Sequence, residues 1–150
     1  MHCVSCEIKN LIYGYAECMD QGDFRAAATL FEHARMITTG ADGTDVVVQG
    51  IDNIESMYRG FTRLYPDNNT PHTLHLTSNV IVESLAEAAA RSRSCVAVMQ
   101  AVAGLPLQTI ITVRYEDEFA RVEGKWRFSE RRMIPVLLGD LSHHLLQPIV

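Results

Sequence analysis

The chain has 150 residues, 47% hydrophobic and 21% charged, with 13 Lys and Arg against 18 Asp and Glu for a formal charge of -5. That length suits one domain (core about 7–135, tail 136–150) able to bury roughly 68–70% of its unfolded surface. The acidic excess argues against nucleic acid as a partner. No run reaches the ~18 apolar residues of a membrane helix, and Met1 to Asn10 lacks the basic start and apolar core of a secretory leader, so the expectation is a cytoplasmic protein without a membrane partner.

At the N-terminus, Cys3 and Cys6 follow His2, but no second Cys or His pair follows at suitable spacing, so no metal is expected and the segment reads as a frayed end. Cys18 and Cys95 fall in a helical and a strand pattern and read as buried thiols. Ile8, Leu11, Ile12, Tyr15, Cys18 and Met19 recur at helical spacing, which predicts a helix over Glu7 to Gln21. Gly22 suits its left-handed stop, and Asp23 caps a short helix over Phe24 to Phe31. Met36 to Thr39 and Val46 to Gln49 predict a hairpin around the turn-rich Gly40 to Gly43. A third helix is expected over Ile51 to Leu64, with Ile54, Met57, Tyr58 and Phe61 inward, followed by a loop at Pro66 to Asn69.

From Thr70 the period changes to two. Strands are expected at Thr73 to Glu83, Ser92 to Val102, Leu107 to Arg121 and Trp126 to Pro135, with turns at Leu85 to Ala90, Ala103 to Pro106 and Val122 to Lys125. Helices gathered on one face of a curved, mainly antiparallel sheet make an α+β fold whose concave side is the natural place for a ligand. Beyond Pro135, Leu137, Leu138, Leu141, Leu145 and Leu146 approximate a helical stripe that would cover the pocket mouth or a neighbouring subunit, with His143 and His144 facing solvent.

Several residues could do chemistry. By parity Thr73, His75, Thr77, Asn79 and Ile81 share a mixed polar face, and Leu74, Leu76, Ser78, Val80 and Val82 share an apolar one. His75 is then a candidate general base or an ordinary half-buried histidine, and Asn79 lies roughly 13 Å further along the same face. The apolar face is too apolar for a monomer surface, and Arg114, Glu116 and Glu118 would flank it, so a homodimer or homotrimer is expected. Tyr15 sits in an apolar stripe and its hydroxyl needs a partner, which a substrate or plain core packing could supply. Tyr115 and Asp117 share the third strand's otherwise apolar face, where a carboxylate needs a cation; Arg121 and Arg131 are available. Parity places Arg131 opposite Trp126 and Phe128, so an inward role requires a bulge.

These segments resemble a known family. Tyr15-Ala16-Glu17-Cys18-Met19-Asp20-Gln21-Gly22-Asp23-Phe24 with Leu30-Phe31, Gly50 to Ile54, the His75-x-x-x-Asn79 spacing and the run from Tyr115 to Arg131 are similar, in order and spacing, to SnoaL-like proteins of the nuclear-transport-factor-2-like superfamily. The branch with scytalone dehydratase, bile-acid 7α-dehydratase and hexachlorocyclohexane dehydrochlorinase is the one these residues match. The resemblance implies a cone-shaped fold over about residues 7–135, with His75 as general base, Asp20 as its orienting carboxylate and Tyr15 as an acid or electrophile. It aligns Asp117 with the oxyanion-hole acid of ketosteroid isomerase and Arg131 with an active-site arginine of the dehydrochlorinase, making Asn79, Tyr115, Asp117 and Arg131 candidate substrate-binding residues. Asp20 has an alternative role in solvating the helix end, and Tyr15 and Asp20 point roughly 140° apart on a regular helix. Two departures stand out: Thr39 where the isomerase has its base, and Met99 or Gln100 where the bile-acid enzyme has a further acid. The implied function is a cofactor-independent lyase, dehydratase or isomerase acting on a small cyclic hydrophobic substrate. The alternative is a ligand-binding or subunit protein of the same fold, like the small subunits of ring-hydroxylating dioxygenases.

Overall fold

The computed structural model describes residues 2–148, and its order of elements follows the sequence pattern. Helices α1 (Val4–Asp20), α2 (Phe24–Thr29) and α3 (Ile51–Phe61) accompany strands β1 (Arg35–Thr39), β2 (Asp45–Gln49), β3 (Thr73–Ala86), β4 (Ala89–Val102), β5 (Leu105–Val122) and β6 (Lys125–Leu138). The strands form one sheet in the order β2-β1-β6-β5-β4-β3, in which only the β1–β6 pair is parallel. The core lies between helices and sheet, where Ile8, Ile12, Phe24, Phe31, Ile54 and Phe128 are fully enclosed. The fold class is α+β, as expected.

The N-terminus is more ordered than its composition suggests. Cys3 caps α1 by accepting from the Cys6 amide, and the two cysteines are joined as a disulfide, not left as a frayed end. Of the two free thiols, Cys18 is half-buried, but Cys95 is exposed because it lies on the outer face of β4. The expected turn at Leu85 to Ala90 contracts to Glu87 and Ala88, since Ser84 pairs with Ala90 and Ala86 with Ala89. Ladder hydrogen bonds override the weak strand propensity of that alanine run. Helix α3 stops at Phe61 because Thr62 turns extended and forms an antiparallel bridge with Leu145. That bridge also accounts for the C-terminal segment, which runs as strand through Leu138 and then as turns where a helical stripe is expected.

Three bulges decide which side chains face inward. On β3 the register passes from Ser78↔Cys95 to Ile81↔Arg93, so Asn79 and Val80 together oppose Ser94. Asn79 takes a left-handed backbone (φ 54), which its short polar side chain tolerates. The inward parity flips there: Val80 and Val82 pack against the core, while Asn79 and Ile81 are exposed. The outer apolar patch therefore comprises Leu74, Leu76 and Ile81, without the two valines assigned to it by strict alternation. On β5 an extra residue at Ile110 buries both Ile110 and Ile111 and leaves Leu107 and Thr109 exposed. On β6 Ser129 is the extra residue between Glu118↔Glu130 and Phe119↔Phe128. It permits Trp126, Phe128 and Arg131 all to be buried, the bulge that an inward Arg131 requires.

Candidate active site

Asp20 is the last residue of α1, and the helix must end abruptly for its carboxylate to reach the sheet. Gly22 provides that stop: its φ is +71, and a Cβ there would lie 2.5 Å from the Asn69 carbonyl oxygen. Only glycine lets the helix end press against the loop that precedes β3. Asp20 then faces the start of β3, an edge strand in the sheet. The His75 backbone N–H donates to Asp20 Oδ2 at 2.8 Å, and the Thr73 hydroxyl donates to Oδ1 at 2.9 Å. The His75 ring lies against the same carboxylate, with Nδ1 at 2.5 Å from Oδ1. A carboxylate only accepts, so Nδ1 carries the hydrogen and Nε2 of the neutral ring carries the lone pair. Both side chains are largely shielded, at 8% exposure for His75 and 16% for Asp20. No other side chain among the described residues hydrogen-bonds His75 Nε2.

His144 stands beside this pair instead of facing solvent. The C-terminal segment folds back on the end of α3: Arg63 N–H donates to the His144 carbonyl at 2.8 Å, and Leu146 N–H to that of Phe61 at 2.8 Å. The Tyr65 hydroxyl and the Gln100 side-chain amide both donate to the His143 carbonyl, at 2.5 and 3.2 Å. These bonds hold the His144 ring half-buried, with Nδ1 enclosed and unpartnered. Burial pushes its pKa down to about 4, helped by His75 and opposed by Asp20, so the ring is neutral near pH 7. His143 is only partly exposed, near Asp140 and Ser142.

A second cluster lies deeper. Arg131 forms a two-pronged ion pair with Asp117, both bonds 2.8 Å, with both side chains at 0% exposure. Arg131, not Arg121, is thus the cation for Asp117; Arg121 lies over the Trp126 ring at 5.0 Å. The Arg131 guanidinium also packs over the rings of Tyr115 at 3.8 Å and Tyr15 at 4.6 Å. Burial raises the Asp117 carboxyl above the usual range, and the guanidinium offsets part of that rise. The Tyr15 hydroxyl is 2.7 Å from that of Tyr58, which donates in turn to Met36 Sδ at 3.3 Å. Burial raises the pKa of Tyr15, Tyr58 and Tyr115 alike, so all three stay protonated.

The site residues expected from sequence therefore divide. Asp20 and His75 meet; Tyr15, Tyr115, Asp117 and Arg131 form the deeper group; and Asn79, turned out by the β3 bulge, joins neither. Thr73, Tyr58 and His144 were not signalled as site residues. Thr73 shares the inward parity of His75, which is a usable sign; nothing in the tail's leucine spacing marks His144. A cleft of about 320 Å³ lined by Glu83, Arg91, Arg93, Glu116 and Arg132 reaches Asp117 but none of Asp20, His75 or His144. Among the described residues no group of three or more His, Cys, Asp or Glu is placed to hold a metal ion, and no helix is long and apolar enough to cross a membrane.

Comparison with known proteins agrees with this architecture. A candidate scytalone dehydratase from Novosphingobium aromaticivorans superposes with a TM-score of 0.69 at 21% identity, over 90% of this chain and 85% of that one. A candidate aromatic ring hydroxylase from the same organism gives 0.70 at 22% identity, over 95% and 99%. The β subunit of a candidate aromatic-ring-hydroxylating dioxygenase, again from that organism, gives 0.70 at 14% identity, over 89% and 90%. At these identities the likeness is one of fold. No curated protein matches the chain significantly. The profile of the SnoaL-like domain matches residues 5–132, and the chain belongs to that family.

Proposed function

We propose that the protein is a cofactor-independent lyase, of the dehydratase type, or an isomerase, acting on a small cyclic hydrophobic substrate with His75 as general base and Asp20 as its orienting group. The observation that carries this reading is the three-donor hold on Asp20, which fixes the ring by Nδ1 and leaves Nε2 as the basic atom. In an elimination, Nε2 takes a proton from carbon, the C–H electron pair becomes the new double bond, and the C–O bond breaks. The imidazolium returns the proton to the departing hydroxide, which leaves as water. In an isomerisation the same proton returns to a different carbon. Asp20 stabilises the imidazolium in either case, and a positioned base of this kind typically contributes ~10²–10⁴-fold. The deeper tyrosines and the Arg131–Asp117 pair give shape to the inner wall; with its hydroxyl engaged by Tyr58, Tyr15 serves there and not as the proton donor. The test is a screen of cyclic hydroxy-ketones by mass spectrometry for loss of water, and by NMR for double-bond migration. Turnover by the wild type that His75→Gln abolishes supports the reading; equal turnover by both refutes it.

A second reading, a non-catalytic subunit, is favoured by one feature. Leu74, Leu76 and Ile81 are 52%, 48% and 45% exposed on the outer sheet face, an apolar area suited to a partner surface. On either reading we expect a homodimer or homotrimer through this face. A monomeric mass by light scattering at micromolar concentration refutes the assembly, and co-purification of a stoichiometric larger subunit favours the second reading over the first.

A further inference from the structure

Of the four cysteines, Cys3 and Cys6 are joined, and Cys18 and Cys95 are free thiols. The bond spans a sequence separation of only 3, between the cap and the first turn of α1, and both cysteines are exposed. A loop so short takes less freedom from the unfolded chain than a long-range bridge does, so it adds less stability. Packing holds the helix in place without it: Ile8 and Ile12 are fully enclosed, and Val4 and Leu11 rest against the core. Exposed disulfides of this kind are the ones that thiols open. The setting also separates the two sulfurs. The Cys6 N–H donates to Cys3 Sγ at 3.2 Å, at the N-terminal end of a 17-residue helix. A sulfur so placed holds negative charge more readily, because the amide and the helix dipole both favour it. Glu7, the acidic residue of that first turn, is engaged by the His2 ring, with Oε1 at 3.2 Å from Nδ1, so part of its opposing charge is offset.

We propose that Cys3 and Cys6 form a thiol–disulfide exchange site that takes a small thiol, or the disulfide of one, as co-substrate, with Cys3 as the attacking sulfur. In the reduced chain the Cys3 thiolate attacks one sulfur of the small disulfide. That S–S bond breaks, one half leaves as a thiolate, and a mixed disulfide forms on Cys3. Cys6 then gives its proton to solvent and attacks Cys3 Sγ. The Cys3–Cys6 bond forms, and the second small thiolate leaves. The two cysteine sulfurs together lose two electrons, and the small disulfide gains them to become two thiols. The reverse sequence opens the protein's bond at the expense of two small thiols. Cys6 follows one turn after Cys3, which keeps the resolving sulfur within reach. The site stands apart from the functional reading above, since Asp20 is at the far end of α1, about 24 Å along the helix.

The test exposes the full chain at neutral pH to reduced and then to oxidised glutathione, with acid quenching, alkylation and peptide mass spectrometry to read each cysteine. The Cys3–Cys6 bond is expected to open in the first and close again in the second. The opened chain is expected to melt in one cooperative transition, as the closed one does. Reduced Cys6→Ser treated with oxidised glutathione should keep a glutathionyl group on Cys3, which the wild type expels through Cys6. In reduced Cys3→Ser, Cys6 should take up that group about two- to fivefold more slowly than Cys3 does in Cys6→Ser. Serine caps a helix well, so Cys3→Ser keeps the start of α1, and the wild-type cycle reports without any substitution. A bond that stays closed in reduced glutathione, or whose opening unfolds the chain, is a structural staple and overturns the proposal. So does a Cys3 that reacts no faster than Cys6 in the paired variants.

Discussion

Replacing Arg131 by methionine isolates the energetics of the deeper cluster. The substitution keeps an unbranched chain among the rings but leaves Asp117, at 0% exposure, with no cation. An unpaired carboxylate in such a place takes up a proton instead of staying charged. Relative to an unfolded-state pKa of about 3.9, protonating it at pH 7 costs about 4 kcal/mol, and at pH 5 about 1.5 kcal/mol. The folded variant then binds one proton more than the unfolded chain, so its stability falls as pH rises, by about 1.4 kcal/mol per pH unit across this range. The wild type has a smaller slope at this site, because the guanidinium offsets part of the rise that burial causes. The assay is urea unfolding at pH 5, 6 and 7, followed by the fluorescence of Trp126, the only tryptophan and a buried one. With m near ~2 kcal/mol per molar, the midpoint should drop by about 2 M at pH 7 and by about 0.75 M at pH 5. A loss below about 1 kcal/mol at pH 7, or one that does not change with pH, refutes the reasoning.

Other expectations concern the Asp20–His75 pair and its neighbours. Asp20→Asn should keep the fold and lower any base-catalysed turnover by about 10²–10⁴-fold, and His75→Gln should remove it; kcat measured on the substrate found by the screen decides. His144 has a folded-state pKa of about 4, below its ordinary 6.5, so the unfolded chain takes the proton first as pH falls. Its contribution is complete above pH 6.5 and is lost on going down towards pH 4, about 3 kcal/mol in all. His144→Gln should flatten that part of the stability curve, and an unchanged slope counts against the buried ring. Gly22→Ala should destabilise by ~1–3 kcal/mol, because the methyl meets the Asn69 carbonyl oxygen in a left-handed backbone. It should also move the Asp20 carboxylate, read as a changed His75 Nδ1–H resonance; a neutral substitution argues that the helix end is not so confined.

The order of helices and strands was legible because each follows a local period, and the Tyr15 stripe, the Gly22 stop and the Tyr115–Asp117 face all lie where alternation places them. Misreadings gather at bulges and at long-range contacts. One extra residue at Asn79 reverses the faces of Val80, Ile81 and Val82 on β3, and no composition cue marks that position beyond asparagine's tolerance of positive φ. The Ser129 bulge was legible only as a condition, since Arg131 could turn inward by no other route. His144 was misplaced because its position depends on Phe61, Arg63, Tyr65 and Gln100, residues far away in sequence. The Tyr15 hydroxyl likewise found its partner in Tyr58, 43 positions later, a pairing that two separate helical stripes do not reveal.

The protein holds two shielded carboxylates in opposite ways, and the contrast bears on what each can do. Asp117 is sealed with an arginine that stays charged at any working pH, so the pair exchanges no proton and acts through shape and field. Asp20 is paired with a histidine, a side chain that can both give and take a proton, and it retains some contact with solvent. Proton transfer needs the second arrangement, whereas the first fixes the packing of Tyr15 and Tyr115 around the guanidinium. The two clusters should therefore separate by experiment. Changes at Arg131 or Asp117 should alter stability and KM while leaving the pH dependence of kcat in place, whereas changes at Asp20 should move that pH dependence itself. A pH–rate profile of Arg131→Met displaced as far as that of Asp20→Asn would show that the deeper pair shares in the proton chemistry, and the division of roles drawn from their partners would fail.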